Sequence, residues 1–261
     1  MTFINIFKGT AIVFAILFLY LVFTLALPLV YSRYLYKTEP PTNLVNIDLP
    51  QDLNSGEMAN NKTLKIAVIG DSTALGQGTE SVKQSFSYQY AQKYLTPKYN
   101  QINYSNFAIT GSTIEQLLDR QIGNLDNQNF DLIFVSIGSN DVISTKIDNS
   151  LYSQNIQKLL EKLQTTKAKI IWLSIPDFIT SPVLLPPLST YLSNRARDLN
   201  QETRQVLDKA NLKLVDVFDR TRQPFIDDAN KYFSKDKYHP SLDGYSTWAE
   251  SIYTEFGDLE I

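Results

Sequence analysis

The chain has no cysteine and a single histidine, His239, and each scarcity removes a class of chemistry. Without thiols there is no disulfide framework and no thiolate-held zinc or iron–sulfur centre. One imidazole is too few for a His-rich metal site, so any metal would have to rest on carboxylates. Charge of one sign is scarce as well: 24 Lys+Arg stand against 27 Asp+Glu, for a net charge of −3. The basic residues are scattered and form no face of the kind a phosphate backbone requires, which argues against nucleic acid as a partner. Internal repeats and low-complexity blocks are missing too. What remains is 261 residues, 43% of them hydrophobic, enough for one globular domain with its own core.

One hydrophobic run interrupts this average composition. From Gly9 to Ser32 there is no charged residue, and between Ala11 and Tyr31 only Thr24 and Pro28 are not apolar. At about 1.5 Å per residue such a helix crosses a hydrocarbon core of roughly 30 Å with some tilt. The run predicts a single transmembrane helix over about residues 9–32, within an N-terminal membrane anchor of residues 1–37. A cleaved signal peptide is the alternative, but its apolar region is usually ~7–15 residues. Lys8 before the span and Arg33 and Lys37 after it nearly balance, and the expectation leans to N-in, with the remainder of the chain extracytoplasmic. Residues 1–37 carry +3 and no acid, so residues 38–261 hold −6. Residues 38–63, with Pro40, Pro41 and Pro50 and no sustained apolar period, read as an extended linker, which puts the start of the folded domain, 64–261, near Leu64.

Beyond Leu64, short apolar runs alternate with amphipathic ones. Lys65–Ile69, Ile102–Ala108, Leu132–Ile137, Lys169–Ile175 and Leu212–Val217 read as strands, most of them buried on both faces. Ser85–Leu95, Ile114–Ile122, Leu151–Thr165, Tyr191–Lys209 and Ser241–Phe256 carry helical spacing. Five strand–helix alternations predict an α/β domain of three α/β/α layers around a five-stranded parallel sheet, flavodoxin-like or Rossmann-like. Ligands of such sheets bind beyond the carboxyl ends of the strands.

Four segments there carry chemistry. Gly70-Asp71-Ser72-Thr73 follows the first strand, Thr110-Gly111-Ser112 the second and Gly138-Ser139-Asn140-Asp141 the third, while Asp236-Lys237-Tyr238-His239-Pro240 follows the fifth. A serine hydroxyl becomes a nucleophile when an imidazole takes its proton, and the imidazole needs an acid on its other nitrogen. Ser72, His239 and Asp236 fit those roles, Asp236 lying three residues before the imidazole it would orient. The N–H groups of Ser72 and Gly111 and the side-chain amide of Asn140 are the candidate donors to a developing oxyanion. Singly, each segment is ordinary turn material, and Asp236 is equally suited to capping the following helix. Their occurrence together, in order, at strand ends is the signal.

Other motifs fail. Gly76-Gln77-Gly78 lacks the third spaced glycine of a dinucleotide fingerprint, and no Gly-Lys-Ser/Thr follows it. Asp216, Asp219, Asp227 and Asp228 show no calcium-loop spacing and read as solvated acids. Neither a cofactor nor a metal is expected.

The four segments resemble the blocks of the SGNH, or GDSL-type, hydrolases, in particular the lysophospholipase/esterase-like branch. Gly70-Asp71-Ser72 is similar to the first block, Gly111 to the glycine of the second, Gly138-Ser139-Asn140-Asp141 to the third and Asp236-x-x-His239-Pro240 to the last. The resemblance runs from about Lys65 to Phe256; Thr73 stands where the name-giving block has Leu. It implies the three-layer SGNH fold and a serine esterase without cofactor. By that resemblance Ser72 is the nucleophile, His239 the base, Asp236 its orienting acid, and Ser72, Gly111 and Asn140 the oxyanion hole.

The expectation is therefore a membrane-anchored esterase that cleaves lipid, lysophospholipid or short acyl esters through an acyl-enzyme. The segment Ile175–Leu188, rich in Pro, Leu and Val after the fourth strand, is suited to an apolar wall for an acyl group or to packing on a helix, and Asp177 within it to a polar contact. The alternatives are an O-acetyl esterase acting on envelope polysaccharide and, from another class, a catalytically silent envelope-binding domain, which has no use for the full catalytic set.

Overall fold

The computed structural model of the protein describes residues 3–30, 47–48, 63–144, 146–259 and 261. The apolar run forms helix α1 (Phe3–Val30), and its segment Thr10–Leu27 is long and apolar enough to cross a membrane. From Thr10 to Phe23 its side chains stand exposed, whereas Thr24 is buried and donates its hydroxyl to the Leu21 carbonyl at 2.8 Å. The 38–63 linker lies outside the described residues except for Thr63 and Ile47–Asp48, and the latter pair forms a short strand, β1.

All five expected parallel strands are present. After β1 the folded part runs β2 (Thr63–Gly70), α2 (Ser72–Leu75), α3 (Phe86–Tyr90), β3 (Gln101–Asn106), α4 (Ile114–Arg120), β4 (Leu132–Ser136), α5 (Ser139–Ile143) and α6 (Asn149–Thr165). It continues with β5 (Lys169–Leu173), α7 (Leu188–Lys209), β6 (Leu214–Val215), α8 (Val217–Asp227), α9 (Ala229–Tyr232) and α10 (Leu242–Phe256). The sheet order is β1-β3-β2-β4-β5-β6, with β1 antiparallel to β3 at the edge and every other pairing parallel. The parallel strands thus follow the flavodoxin-like order, in which the chain reverses direction across the sheet beside the first parallel strand. Here that is β2, between β3 and β4, and its carboxyl end opens the crevice.

Alternation along the strands builds the two core layers. Ile66 and Val68 of β2 join Phe134, Phe86, Tyr90 and Trp248 on the face covered by α3 and α10. Ala67 and Ile69 join Ile133, Val135 and Trp172 on the face covered by α4, α6 and α7. Each such Val, Ile or Phe side chain contributes about 1.5–3 kcal/mol on burial. Ion pairs such as Lys93–Glu250, both more than half exposed, contribute at most about 1 kcal/mol, so burial holds the sheet.

Apart from the added edge strand β1 and helix α8, the main differences from the sequence reading lie at element ends. The helix expected over Ser85–Leu95 widens into a π turn at Ala91–Leu95 after α3. Strand β6 stops at Val215, because the N–H groups of Val217 and Phe218 turn to the Ser174 hydroxyl, both at 3.0 Å, and start α8. Asp216 caps that helix through Asp219 N–H, and Asp228 caps α9 through Lys231 N–H.

Candidate active site

Strand β2 delivers the first group. Gly70 ends it at φ +147°, and a Cβ there would lie 1.9 Å from the Ser136 carbonyl oxygen, so a side chain has no room. Asp71, fully buried, caps α2 by accepting Thr73 N–H at 2.9 Å and the Thr73 hydroxyl at 2.7 Å. Ser72 is therefore the first residue of α2, held where the strand tip meets the crevice. Its Oγ lies 3.0 Å from His239 Nε2.

His239 comes from a turn between α9 and α10 that is pinned by its own carboxylate. Asp236 Oδ1 accepts from the Ser234 hydroxyl at 2.7 Å, Tyr238 N–H at 2.9 Å and His239 N–H at 2.8 Å, leaving Oδ2 to face His239 Nδ1 at 2.7 Å. Burial opposes the charge of Asp236, but the hydrogen bond and charge of His239, with the two N–H donors, outweigh it and hold the carboxyl below its usual range. The turn comes close to the loop after α2. A Cβ on Gly78, at φ +101°, would lie 2.5 Å from the Pro240 carbonyl oxygen and 2.9 Å from His239 Cβ. Gly78, which the sequence offered only as part of a failed dinucleotide motif, thus lets the imidazole approach the serine. Ser234 was missed as well, since nothing local marks a hydroxyl two residues before an acid as its hydrogen-bond partner.

Gly111 follows β3 and Asn140 opens α5 after β4, and both line the cavity that also holds Ser72 and His239. The Asn140 amide donates to the Ser112 carbonyl at 3.0 Å, which leaves its second hydrogen for a ligand. Next to it, Asp141 is fully buried and accepts Ile114 N–H at 3.1 Å. Burial pushes its carboxyl up to about 7, and the nearby Asp71, itself raised by burial, adds to the shift. All five positions singled out in the sequence (Ser72, Asp236 and His239, with Gly111, Asn140 and again Ser72 as donors) line one crevice at the carboxyl edge of the sheet.

That crevice has a cavity of about 630 Å³, within the range of small-molecule sites. The segment after β5 walls it with Phe178, Val183, Leu184 and Leu188, and several of these also pack on the layer that holds α7, so the segment both lines the cavity and packs on a helix. Ile143 and Tyr191 stand exposed at its lining, and Leu25 of α1 lines it too. Asp177 touches the cavity, but its carboxylate is committed to the Ser193 hydroxyl, Ile179 N–H and the Arg222 guanidinium. It secures the wall instead of offering the polar contact expected of it.

Residues 68–246 match the model of the GDSL-like Lipase/Acylhydrolase family. Among solved structures, a lipase/acylhydrolase from Enterococcus faecalis superposes with a TM-score of 0.57 at 18% identity, over 74% of this chain and 95% of its own. A member of the lipolytic G-D-S-L family from Veillonella parvula gives 0.59 at 18% identity, over 75% of this chain and 100% of its own. A catalytic mutant of an acetylxylan esterase from Geobacillus stearothermophilus gives 0.54 at 20% identity, over 77% and 97%. At such identities these structures speak for the fold. Comparison with curated proteins gives no match.

Proposed function

The chain belongs to the GDSL-like lipase/acylhydrolase family and is a hydrolase acting on esters, and from that premise we propose that it works as a serine hydrolase through an acyl-enzyme on Ser72. The observation that carries this reading is the continuous line from Ser72 Oγ to His239 Nε2, 3.0 Å, and from His239 Nδ1 to Asp236 Oδ2, 2.7 Å. In the first half-reaction His239 takes the hydroxyl proton as Oγ attacks the ester carbonyl. The negative charge that forms on the carbonyl oxygen is met by the N–H groups of Ser72 and Gly111 and by the Asn140 amide. His239 then returns the proton to the leaving alcohol, and the acyl group stays on Ser72. In the second half-reaction His239 takes a proton from water, the resulting attack releases the acid, and Ser72 recovers its hydrogen. Asp236, held ionised, fixes the imidazole tautomer and balances the imidazolium.

The apolar walls support a lipid ester as substrate, its acyl chain lying along Val183, Leu184 and Leu188. Leu25 in the same lining supports placing the site beside the end of the apolar helix of a single-pass protein. The extracytoplasmic side of the catalytic domain is read from Lys8 before the helix and Arg33 and Lys37 after it. A fluorophosphonate probe applied to the full chain tests the chemistry. Ser72 is expected to label, and Ser72→Ala to lose labelling and to lower p-nitrophenyl ester turnover by about 10⁴-fold or more with an unchanged melting temperature. Labelling that persists in Ser72→Ala overturns the nucleophile. A wild-type chain that neither labels nor turns over esters indicates a silent binding domain.

A further inference from the structure

Gln121 lies just past α4, fully buried and outside the cavity lining, yet its side chain is engaged at every polar atom. Its Oε1 accepts Gly70 N–H at 2.9 Å, while Nε2 donates to the Gly70 carbonyl at 2.8 Å and to the Ser112 hydroxyl at 3.2 Å. The acceptor for Gly70 N–H is one that a neighbouring strand would otherwise supply. On one side Gly70 is paired with Ser136 of β4; on the other, past the end of β3 at Asn106, the chain still supplies Ile109 N–H to the Gly70 carbonyl at 3.1 Å, while Gly70 N–H finds its acceptor in the Gln121 side chain. Gln121 Oε1 thus takes the place of a strand carbonyl, and Nε2 adds a second donor to the Gly70 carbonyl, at the point where the serine turn begins.

The consequence reaches the three donors. Ser72 stands two residues beyond Gly70, Gly111 stands immediately before Ser112, and Asn140 donates to the Ser112 carbonyl at 3.0 Å. Gly70 and Ser112 are points to which all three donors are tied, Ser72 and Gly111 through the chain and Asn140 through its hydrogen bond to the Ser112 carbonyl, and one side chain joins them. We propose that Gln121 is a positioning residue that sets the spacing of the oxyanion donors while touching neither substrate nor reacting atoms. The inference rests on the Ser72 acyl-enzyme reading above and deepens it.

Because donors aimed at the transition state act on turnover more than on binding, their misplacement lowers kcat and spares KM. The test uses full-length Gln121→Met, Ser112→Ala and the double variant, with p-nitrophenyl butyrate as substrate and active serines counted by complete fluorophosphonate titration. Counting separates geometry from the folded fraction. For Gln121→Met, kcat per titrated serine is expected to fall by about 10- to 100-fold, with KM within about two-fold of the wild type. Ser112→Ala is expected to lose several-fold, and the double variant to lose no more than Gln121→Met alone, since both cut one bracket. Gln121→Glu keeps the acceptor for Gly70 N–H and gives up the donor, so a partial recovery relative to Gln121→Met is expected. Wild-type kcat per titrated serine in Gln121→Met, or a loss carried by KM, overturns the proposal. If Gln121→Met fails to fold, wild-type kcat in Ser112→Ala overturns it instead. A wild-type chain that never labels strikes the acyl-enzyme reading, and this proposal with it.

Discussion

Asp236 faces the His239 imidazole through Oδ2, which meets Nδ1 at 2.7 Å, while Oδ1 is filled by the Ser234 hydroxyl and the N–H groups of Tyr238 and His239. That division makes Asp236→Asn a clean test of the dyad. The three donors would hold the amide oxygen in the Oδ1 position and turn the NH₂ toward His239 Nδ1. Two donors cannot share that contact, so the imidazole would carry its proton on Nε2, where it faces Ser72 Oγ and cannot accept a proton from it. Turnover is expected to fall by about 10²–10⁴-fold with little change in KM. Steady-state kinetics on a p-nitrophenyl ester check this, and a loss under ten-fold overturns the assigned role.

Asn140 gives a graded test of the oxyanion site. Its side chain both lines the cavity and donates to the Ser112 carbonyl at 3.0 Å. Asn140→Ala removes one donor and leaves the Ser72–His239 contact in place, so kcat is expected to drop by about 10²–10³-fold. Fluorophosphonate should still titrate the variant to completion, only more slowly. Unchanged kcat would show that the amide does not meet the oxyanion.

The parts of this architecture that were legible in the sequence are those encoded locally. Parallel strands buried on both faces must be apolar runs, and Leu132–Ser136, every residue of it buried, is readable for that reason. The single imidazole, His239, left any Ser–His chemistry one possible base, so the four strand-end segments could be joined without a structure. Gln121 was not legible, because its significance lies in the bonds its side chain makes to Gly70 and Ser112, which no local pattern encodes. Gly78 was misjudged for a similar reason: its need for an absent side chain is set by His239 and Pro240, far along the chain. Helix α8 was overlooked where Pro224 and several acids broke the apolar period, although Asp216 supplies its cap.

Two buried acids make opposite contributions to the pH dependence of stability. Asp236 has a folded pKa below its unfolded value, so its contribution is present above about pH 4 and is lost as pH falls toward the folded value. Asp141, raised to about 7 by burial and by Asp71, with Ile114 N–H and Arg195 acting against the shift, keeps its proton in the folded state after the unfolded chain has released it. It therefore lowers stability progressively between about pH 4 and pH 7, and the deficit is constant above that. Asn at 141 can still accept Ile114 N–H without that deficit. Chemical denaturation of Asp141→Asn should show a gain over the wild type at pH 8 that shrinks toward pH 4. A gain independent of pH would mean that Asp141 ionises normally.

The apolar helix predicts a physical partition. With Thr10–Leu27 removed as part of residues 1–37, the chain is expected to stay with the aqueous phase when phosphatidylcholine vesicles are floated, whereas the full chain rises with them. The kcat for p-nitrophenyl acetate per titrated serine should be similar in the two, because the nucleophile, base and acid all lie beyond residue 63, whereas KM for longer esters is expected to rise with the loss of Leu25 from the cavity lining. A truncated chain that floats equally well would place the membrane contact on the folded domain.

Leu188 tests the acyl-chain reading. It stands half-buried at the start of α7, lines the cavity and packs against the layer beneath that helix. Leu188→Trp adds bulk to a wall that an acetyl group does not need and a longer chain does. The kcat/KM for a p-nitrophenyl decanoate is expected to fall by about ten-fold, a change of the size that methylene contacts in apolar pockets produce. The acetate ester should be nearly unaffected, since the Ser72–His239–Asp236 line does not involve Leu188. Equal losses on both esters would mean that the substitution disturbs the site as a whole. No loss on the decanoate would mean that the chain runs elsewhere, and the lipid-ester reading would lose its structural support in favour of a short acyl group such as acetate.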